Sequence, residues 1–129
     1  MIRPTRVYIA GPWTQRPKAI AAAKRLKAEG CEVTSRWHDI HGDSHDPGVL
    51  KREAMNDWND IRKADVLLLL NLEKSEGKAV EQGIALEAGK PIVAIGEKTN
   101  VFQYLDGHYT FVDTLGQAID AFPVFEPID

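Results

Sequence analysis

The sequence has few of the features that mark secreted, membrane-spanning or redox-active proteins. It contains one cysteine, Cys31, which cannot form an internal disulfide and which we expect to be a small core residue rather than a nucleophile. No apolar run approaches the ~20 residues that a membrane span needs. The N-terminal residues lack the hydrophobic core of a signal peptide. The sequence therefore predicts a cytoplasmic protein that makes no contact with a membrane.

An excess of charge of one sign is also absent. Lysine and arginine total 16 and aspartate and glutamate total 19, which gives a net charge of -3. Because these charges are well mixed, we expect no basic face that would hold a nucleic-acid polymer, whereas a small anion could still bind. The glycine patterns of dinucleotide sites and P-loops, G-x-G-x-x-G and G-x-x-x-x-G-K-[ST], do not occur. Neither type of site is predicted.

The stretch at 64–90, A-D-V-L-L-L-L-N-L-E-K-S-E-G-K-A-V-E-Q-G-I-A-L-E-A-G-K, is the most informative part of the chain. Residues 66–70 form an unbroken apolar run, typical of a strand buried on both faces of a parallel sheet. Residues 77–88 predict a helix that ends at Gly89, and residues 92–95 predict a second buried strand. The three segments form a β-α-β unit.

The remaining elements continue this alternation. Strands are predicted at 6–10, 31–37 and 109–112, and helices at 18–29, 49–63 and 114–122. At 43% hydrophobic content the chain is expected to form one domain, residues 1–129. We predict an α/β fold with a doubly wound, flavodoxin-like or Rossmann-like, parallel sheet of four to five strands in the order 2-1-3-4-5. Its ligand crevice is expected between strands one and three.

Two carboxylates fall on the predicted inner faces of helices. They are Glu81 in the helix at 77–88 and Asp57 in the helix at 49–63. The apolar residues that define the two faces are Val80, Ile84, Ala85 and Ala88, and Leu50, Ala54, Trp58 and Ile61. A carboxylate among apolar side chains is costly unless it is paired or used. Two interpretations of each acid therefore stay open. Either it pairs with a basic residue or lies at a solvated edge of the face, or it has a role in a functional site.

Other candidates lie at the ends of predicted elements near the crevice. Ser75 and Gly77 stand at a helix N-terminus, where free N–H groups suit one phosphate, although Ser75 is equally a helix cap. Gly11 begins the loop that follows the first strand. Trp13 and Trp37 follow strand ends and either stack on a base or cover the sheet.

Two further groups of residues allow either a structural or a functional interpretation. Arg36 either meets an anion or pairs with a surface acid. The loop after the second strand is rich in metal-ligand types, namely His38, Asp39, His41, Asp43, His45 and Asp46. Because these residues belong to one loop and no second cluster would complete a tetrahedral site, we predict that they hold no metal.

Four motifs in a fixed order resemble those of the nucleoside 2-deoxyribosyltransferase superfamily. They are V-Y-I-A-G-P at 7–12, N-D-x-N-x-I at 56–61, S-x-G-x-x-V-E-x-G-I-A at 75–85 and G-K-P-I at 89–92. The resemblance covers nearly the whole chain. It implies that Glu81 is the nucleophile at the anomeric carbon, that Asp57 assists at the sugar or base, and that Tyr8 holds the nucleophile.

The resemblance also bears on substrate and assembly. Six residues before the nucleophile, transferases tend to carry an aspartate that meets the sugar 5'-hydroxyl, whereas deoxynucleoside 5'-monophosphate N-glycosidases carry a serine that meets the phosphate; here that residue is Ser75. No cofactor is implied. A neighbouring subunit completes the family's site, Asn100 lies where the cross-subunit residue falls, and a homodimer or higher homo-oligomer is implied.

The implied function is cleavage of the N-glycosidic bond of a (deoxy)nucleoside 5'-monophosphate, which releases free base and sugar 5-phosphate. Two alternatives stay open. One is a nucleoside 2-deoxyribosyltransferase that exchanges bases on deoxynucleosides. The other is a non-catalytic nucleotide-binding or sensing module, since a fold alone does not fix a function.

Overall fold

The protein is built on a five-stranded parallel sheet with the strand order 2-1-3-4-5, as predicted. The computed structural model describes residues 3–39 and 45–125. The strands are β1 (Arg6–Ala10), β2 (Glu32–Val33), β3 (Val66–Asn71), β4 (Ile92–Gly96) and β5 (Tyr109–Val112). All six residues of β3 are buried, because the strand lies between β1 and β4 and has helices on both sheet faces.

Within the described residues, three α-helices connect the first four strands, a 3-10 turn leads from the fourth strand to the fifth, and a fourth α-helix follows the sheet. The helices are α1 (Arg16–Ala28), α2 (Pro47–Lys63), α3 (Glu76–Glu87) and α4 (Leu115–Asp120), with short 3-10 turns at Trp13–Gln15, Trp37–Asp39 and Val101–Tyr104. The helices α1 and α2 begin two residues earlier than predicted, because each accommodates a proline in its first turn, where the missing N–H has no helical partner. None of the helices within 3–39 and 45–125 is long and apolar enough to cross a bilayer.

The second strand is much shorter than the predicted 31–37. The backbone N–H of Thr34 makes one more bond of the ladder, to the carbonyl of Val7 at 2.8 Å, and beyond it side chains take part in the bonding. Ser35 Oγ accepts the backbone N–H of Ile9 at 3.1 Å, and Thr34 Oγ1 donates to the carbonyl of Asp60 at 2.8 Å. The backbone then enters the turn Trp37–Asp39, which brings Trp37 back over β1.

The predicted inner faces of α2 and α3 are wrong in part. Leu50, Ala54 and Trp58 are exposed, whereas Ile61 is buried as predicted and Asp60 is buried beside it. In α3, Val80 is 63% exposed and Ala88 is exposed, whereas the buried residues are Lys78, Gln82 and Ala85. The reason is that polar side chains face the carboxyl ends of the strands, where they have hydrogen-bond partners. Glu81 and Asp57 lie at the edges of these faces and are half-buried.

Candidate active site

Tyr8 and Glu81 are joined across the boundary between β1 and α3. Tyr8 is fully buried in the middle of β1, and its hydroxyl donates a hydrogen bond to Oε2 of Glu81. Glu81 lies in the second turn of α3, which follows the neighbouring strand β3. Because β1 and β3 are neighbours in the parallel sheet, the two side chains meet between them. This is the topological switch point, where the strand order reverses and open α/β sheets form their ligand crevice.

The surroundings of Glu81 hold a proton on its carboxyl to unusually high pH. The pKa of Glu81 is raised to about 8, because burial and the charge of Asp57 together outweigh the hydrogen bond from Tyr8 and the charge of Lys78, which both lower it. Burial and the same carboxylates raise the pKa of Tyr8, so its phenol remains a hydrogen-bond donor. A carboxyl with this perturbation in a crevice is a candidate catalytic group.

Asp57 is the second carboxyl of the site. It lies on α2, which packs against α3, and its charge acts on both Glu81 and Tyr8. Its Oδ1 is buried and has no hydrogen-bond partner within the described residues. The pKa of Asp57 is raised to about 6, because burial and the charges of Asp60 and Glu53 outweigh the opposing charge of Arg36. The site thus holds two carboxyl groups whose pKa values are both raised well above those of exposed acids.

Arg36 is engaged with a carboxylate of its own chain. Its Nε and Nη2 donate to the two carboxylate oxygens of Asp60 at 2.9 and 2.8 Å. Asp60 is buried, so the acid partner is not the surface acid that the sequence suggested. The guanidinium, in this bidentate geometry, neutralises a buried charge in the last turn of α2. Arg36 therefore holds Asp60 and is not positioned as a free anion-binding group.

The two tryptophans near the crevice differ in accessibility. Trp37 is 9% exposed, and its indole Nε1 donates to the carbonyl of Ile9 at 2.6 Å. This places Trp37 in the core as cover for β1, so base stacking, the other interpretation, does not fit its geometry. Trp13 is exposed and its ring lies 6.4 Å from that of Trp37. Of the two rings, Trp13 is therefore the accessible one, and the guanidinium of Arg16 lies over it at 5.2 Å.

The loops after β1 and β3 approach each other above the sheet. A Cβ on Gly11 would lie 3.3 Å from Cβ of Leu70, tighter than ordinary contact, which explains a glycine at this position. Thr14 Oγ1 donates to the carboxylate of Glu73, and this bond ties the two loops together. The loop after β1 is therefore linked to the loop after β3 at the protein surface.

Ser75 caps α3, as one of its two interpretations predicted. Its hydroxyl accepts the backbone N–H of Lys78 at 3.3 Å. Gly77 is exposed in the first turn, where a Cβ would come no nearer than 3.9 Å to Ser75 Oγ, so the backbone remains open to a ligand. Asn100 caps the turn Val101–Tyr104 by accepting the N–H of Phe102 at 3.0 Å.

Ser75 and Asn100 line a cleft of about 450 Å³ together with Lys74, Lys78, Thr99 and Gln103. This cleft lies on the side of α3 that faces β5, because Gln82 of α3 accepts a hydrogen bond from Tyr109 of β5 at 2.8 Å. Glu81 faces the other side, toward β1. Ser75, the N-cap, lies at the end of α3 that both flanks share, and Lys78 lies between the cleft and Glu81.

Sequence reasoning missed a buried polar network beneath α3. It joins Asn71 at the end of β3, Lys78 and Gln82 of α3, Gln103, and Tyr109. Its partners are up to 32 residues apart in the chain. The one signal available was a lysine and a glutamine on the buried face of a short helix after a central strand. That signal becomes visible only once the orientation of the helix is known.

The loop histidines form no metal site within the described residues. His38 is fully buried, its Nε2 is hydrogen-bonded to Ser35 Oγ at 2.9 Å, and burial lowers its pKa. His45 is exposed. His41 and Asp43 lie outside the described residues. Within the described part of the chain, no three metal-ligand side chains gather.

A comparison with protein-family models identifies the family of the chain. Residues 7–122 match the model described as nucleoside 2-deoxyribosyltransferase. The chain belongs to this family. The prediction that it is an enzyme, either a deoxyribosyltransferase or an N-glycosidase, is confirmed at the level of the family. No curated protein sequence matches the chain.

Solved structures share the fold at low sequence identity. The 2-deoxyribosyltransferase of Bacillus psychrosaccharolyticus is 19% identical, with a TM-score of 0.68 over 92% of this chain and 93% of that one. The CMP N-glycosidase BcmB of Clostridium botulinum is 19% identical, with a TM-score of 0.59 over 92% and 100%. A conserved protein from Enterococcus faecalis is 17% identical, with a TM-score of 0.63 over 91% and 96%. These likenesses confirm the predicted architecture.

Proposed function

We propose that this enzyme cleaves the N-glycosidic bond of a (deoxy)nucleoside 5'-monophosphate through Glu81 and releases free base and sugar 5-phosphate. The observation that carries the proposal is the Tyr8–Glu81 pair at the switch point, with Asp57 beside it. A nucleophilic carboxylate with a second carboxyl group as acid and base is the pair that retaining glycosidases use. One of the structural relatives is a CMP N-glycosidase, which agrees with the reaction type.

The reaction takes two displacements at the anomeric carbon. In the first, a carboxylate oxygen of Glu81 attacks C1', the C1'–N bond breaks with its electron pair going to the base, and Asp57 gives the leaving base a proton. In the second, water attacks C1' of the glycosyl ester, Asp57 accepts its proton, and the C1'–O bond to Glu81 breaks. Tyr8 orients Glu81 by donating to one carboxylate oxygen, which leaves the other for attack.

The phosphate end of the substrate is assigned to the start of α3. Ser75 supplies a hydroxyl, the first turn supplies free N–H groups and the positive end of the helix dipole, and Lys74 lines the same cleft. An aspartate at position 75 would repel a phosphate dianion. Ser75 and Gly77 are therefore proposed to make the enzyme a hydrolase of monophosphates rather than a base-exchanging transferase.

A second copy of the chain is proposed to cover the segment after β4. Four large apolar side chains are exposed there directly after Asn100, namely Val101, Phe102, Tyr104 and Leu105. Such a contiguous apolar segment favours association. A homodimer formed through it would bring Asn100 to a neighbouring site, as the family resemblance implies. The predicted cytoplasmic location is retained as part of this proposal.

The experiment is a substrate panel with chromatographic detection of free base. Deoxynucleosides, ribonucleosides and their 5'-monophosphates are incubated with and without an added acceptor base. The proposal expects base release from a 5'-monophosphate, with little or no formation of a new nucleoside from the acceptor. Efficient base exchange on free nucleosides would show a transferase instead. Binding without turnover of any substrate would show a sensing module.

A further inference from the structure

Lys78 is a buried ammonium group that has no carboxylate partner among the described residues. Its side chain lies on the sheet-facing side of α3 and the residue is 3% exposed. Nζ donates to Oδ1 of Asn71 at 2.9 Å and to the backbone carbonyl of Glu73. Neutral oxygens are therefore its acceptors. A buried charge without an opposite charge in contact is unfavourable, so the position calls for an explanation.

The surrounding hydrogen bonds fix where this ammonium lies. Nδ2 of Asn71 donates to the carbonyl of Glu97 and to Oε1 of Gln103 at 3.0 Å. With both amide hydrogens used in this way, Oδ1 of Asn71 is turned toward Lys78. Gln103 is held in turn by the backbone N–H of Thr99, which donates to its Oε1 at 2.7 Å. The positive charge is therefore held against the end of β3 by a satisfied network.

The same charge lies one turn from the proposed nucleophile. Lys78 precedes Glu81 by three residues in α3, a spacing that places two side chains on neighbouring positions of a helix surface. Each group acts on the other: burial lowers the pKa of Lys78 and the charge of Glu81 opposes that lowering, while the charge of Lys78 opposes the raised pKa of Glu81. The other groups that act on Glu81 are Tyr8 of β1 and Asp57 of α2, and Glu73 acts on Lys78.

We propose that Lys78 is a positioning residue for Glu81: its ammonium, fixed by Asn71 and Glu73, supplies the positive potential that favours the ionised carboxylate in the crevice. The catalytic consequence rests on the proposed function. The electrostatic coupling itself does not, because it is a property of the resting protein. A lysine that only satisfied Asn71 would stabilise the fold without changing the ionisation of Glu81.

The first test is an NMR titration of the Glu81 carboxyl carbon, assigned with Glu81→Gln. In Lys78→Met, which keeps the length of the side chain and removes the charge, the Glu81 midpoint should move to higher pH by about one unit, a tenfold change in its ionisation constant. Lys78→Arg should restore most of the wild-type value. Tyr109→Phe is the matched control, because it removes a buried bond of the same network and no charge at neutral pH; its Glu81 midpoint should stay at the wild-type value.

A second measurement does not require Lys78→Met to fold. Coupling between two sites is reciprocal, so the nearly isosteric Glu81→Gln should lower the pKa of Lys78 by the same amount, measured on its Cε or ammonium resonance. An unchanged Lys78 pKa in Glu81→Gln, or an unchanged Glu81 midpoint in a folded Lys78→Met, would overturn the inference.

Activity then separates this inference from the proposed function. If the enzyme cleaves a monophosphate, the acid limb of its kcat/KM profile should shift to higher pH in Lys78→Met by the amount seen in the titration. An active Lys78→Met enzyme with an unshifted limb would contradict the inference and leave the reaction intact. Absence of cleavage by the wild-type protein would contradict the proposed reaction, and the two titrations would still decide the role of Lys78.

Discussion

The phenol of Tyr8 donates to the carboxylate of Glu81 from the centre of β1, although 73 residues separate them in the chain. Both side chains are withdrawn from water, and the bond is the direct link between the sheet and the proposed nucleophile. Because a hydrogen bond to the ionised form stabilises it, Tyr8 partly offsets the cost of burying Glu81. The remaining cost appears as the raised pKa of Glu81, and it has consequences for stability.

We predict that Glu81→Gln stabilises the protein at alkaline pH and not at acid pH. The pKa of Glu81 in the folded state, about 8, lies above the unfolded value, so the native state binds the extra proton and loses stability as pH rises from about 4.5 to 8. Glutamine has no such loss. The free energy of unfolding should exceed that of wild type by an amount on the order of 3 kcal/mol at pH 8.5, and by little at pH 4.5.

Urea unfolding at both pH values measures this difference. Glu87→Gln, at an exposed position of the same helix, is the control and should change the stability little at either pH. A Glu81→Gln variant that is less stable than wild type at pH 8.5 would mean that Glu81 is ionised and well paired in the native state.

We predict that Asp57→Asn slows turnover by about 10²-fold, because asparagine keeps the shape and cannot transfer a proton. The same change removes a negative charge that raises the pKa of Glu81, so the acid limb of the rate profile should move to lower pH. Glu53→Gln is the control: it removes a neighbouring charge on α2 that acts on Asp57, and it should change the turnover at the optimum by about twofold at most. If Asp57→Asn changes only the melting temperature, Asp57 is structural.

We predict that Arg36→Met lowers the melting temperature and leaves KM for a 5'-monophosphate near the wild-type value. The variant leaves the buried carboxylate of Asp60 without its ion-pair partner, because Arg36 forms a bidentate pair with it in the wild-type protein. Arg52→Met, at an exposed position of α2, should change neither quantity. A large rise in KM for the monophosphate, without a rise in KM for the free nucleoside, would instead mean that Arg36 binds the phosphate.

The elements whose bounds the sequence predicted well are those set by local patterns. The unbroken apolar run of β3 and the strands β1 and β5 required no knowledge of distant partners. The alternation of strands and helices predicted a doubly wound sheet, and the apolar character of β3 and β4, which placed them at its centre, predicted the strand order. The half-buried position of Glu81 followed from helical spacing. Its raised pKa and its phenol partner agree with that position.

The parts that the sequence did not predict depend on pairs that are distant in the chain. Lys78 and Gln82 are buried because Asn71, Gln103 and Tyr109 offer them hydrogen bonds. The positions of apolar residues could not reveal such partners. The predicted inner face of α3 is therefore rotated about the helix axis relative to the face that the structure buries. The pairing of Arg36 with a buried Asp60 was hidden for the same reason.

We predict that Ser75→Asp reverses the preference of the enzyme for a 5'-monophosphate over the nucleoside. The wild-type preference should be at least about tenfold in kcat/KM, since charge-assisted hydrogen bonds contribute roughly 1.5 to 3 kcal/mol each before desolvation. Aspartate caps helices as well as serine does, so the stability of α3 should be retained and only the ligand contact changed. The control Thr114→Asp alters the cap of α4 and should leave the preference unchanged. Equal rates of wild type on both substrates would make Ser75 only a helix cap.

The most direct test of the central claim is to trap the glycosyl ester on Glu81. The enzyme is mixed with the best 5'-monophosphate of the panel, quenched in acid within one turnover, digested and analysed by mass spectrometry. We predict that the peptide containing Glu81 gains the mass of one sugar 5-phosphate residue, and that Glu81→Gln shows neither the adduct nor base release. Base release that persists in Glu81→Gln, or an adduct on another residue, would contradict the account.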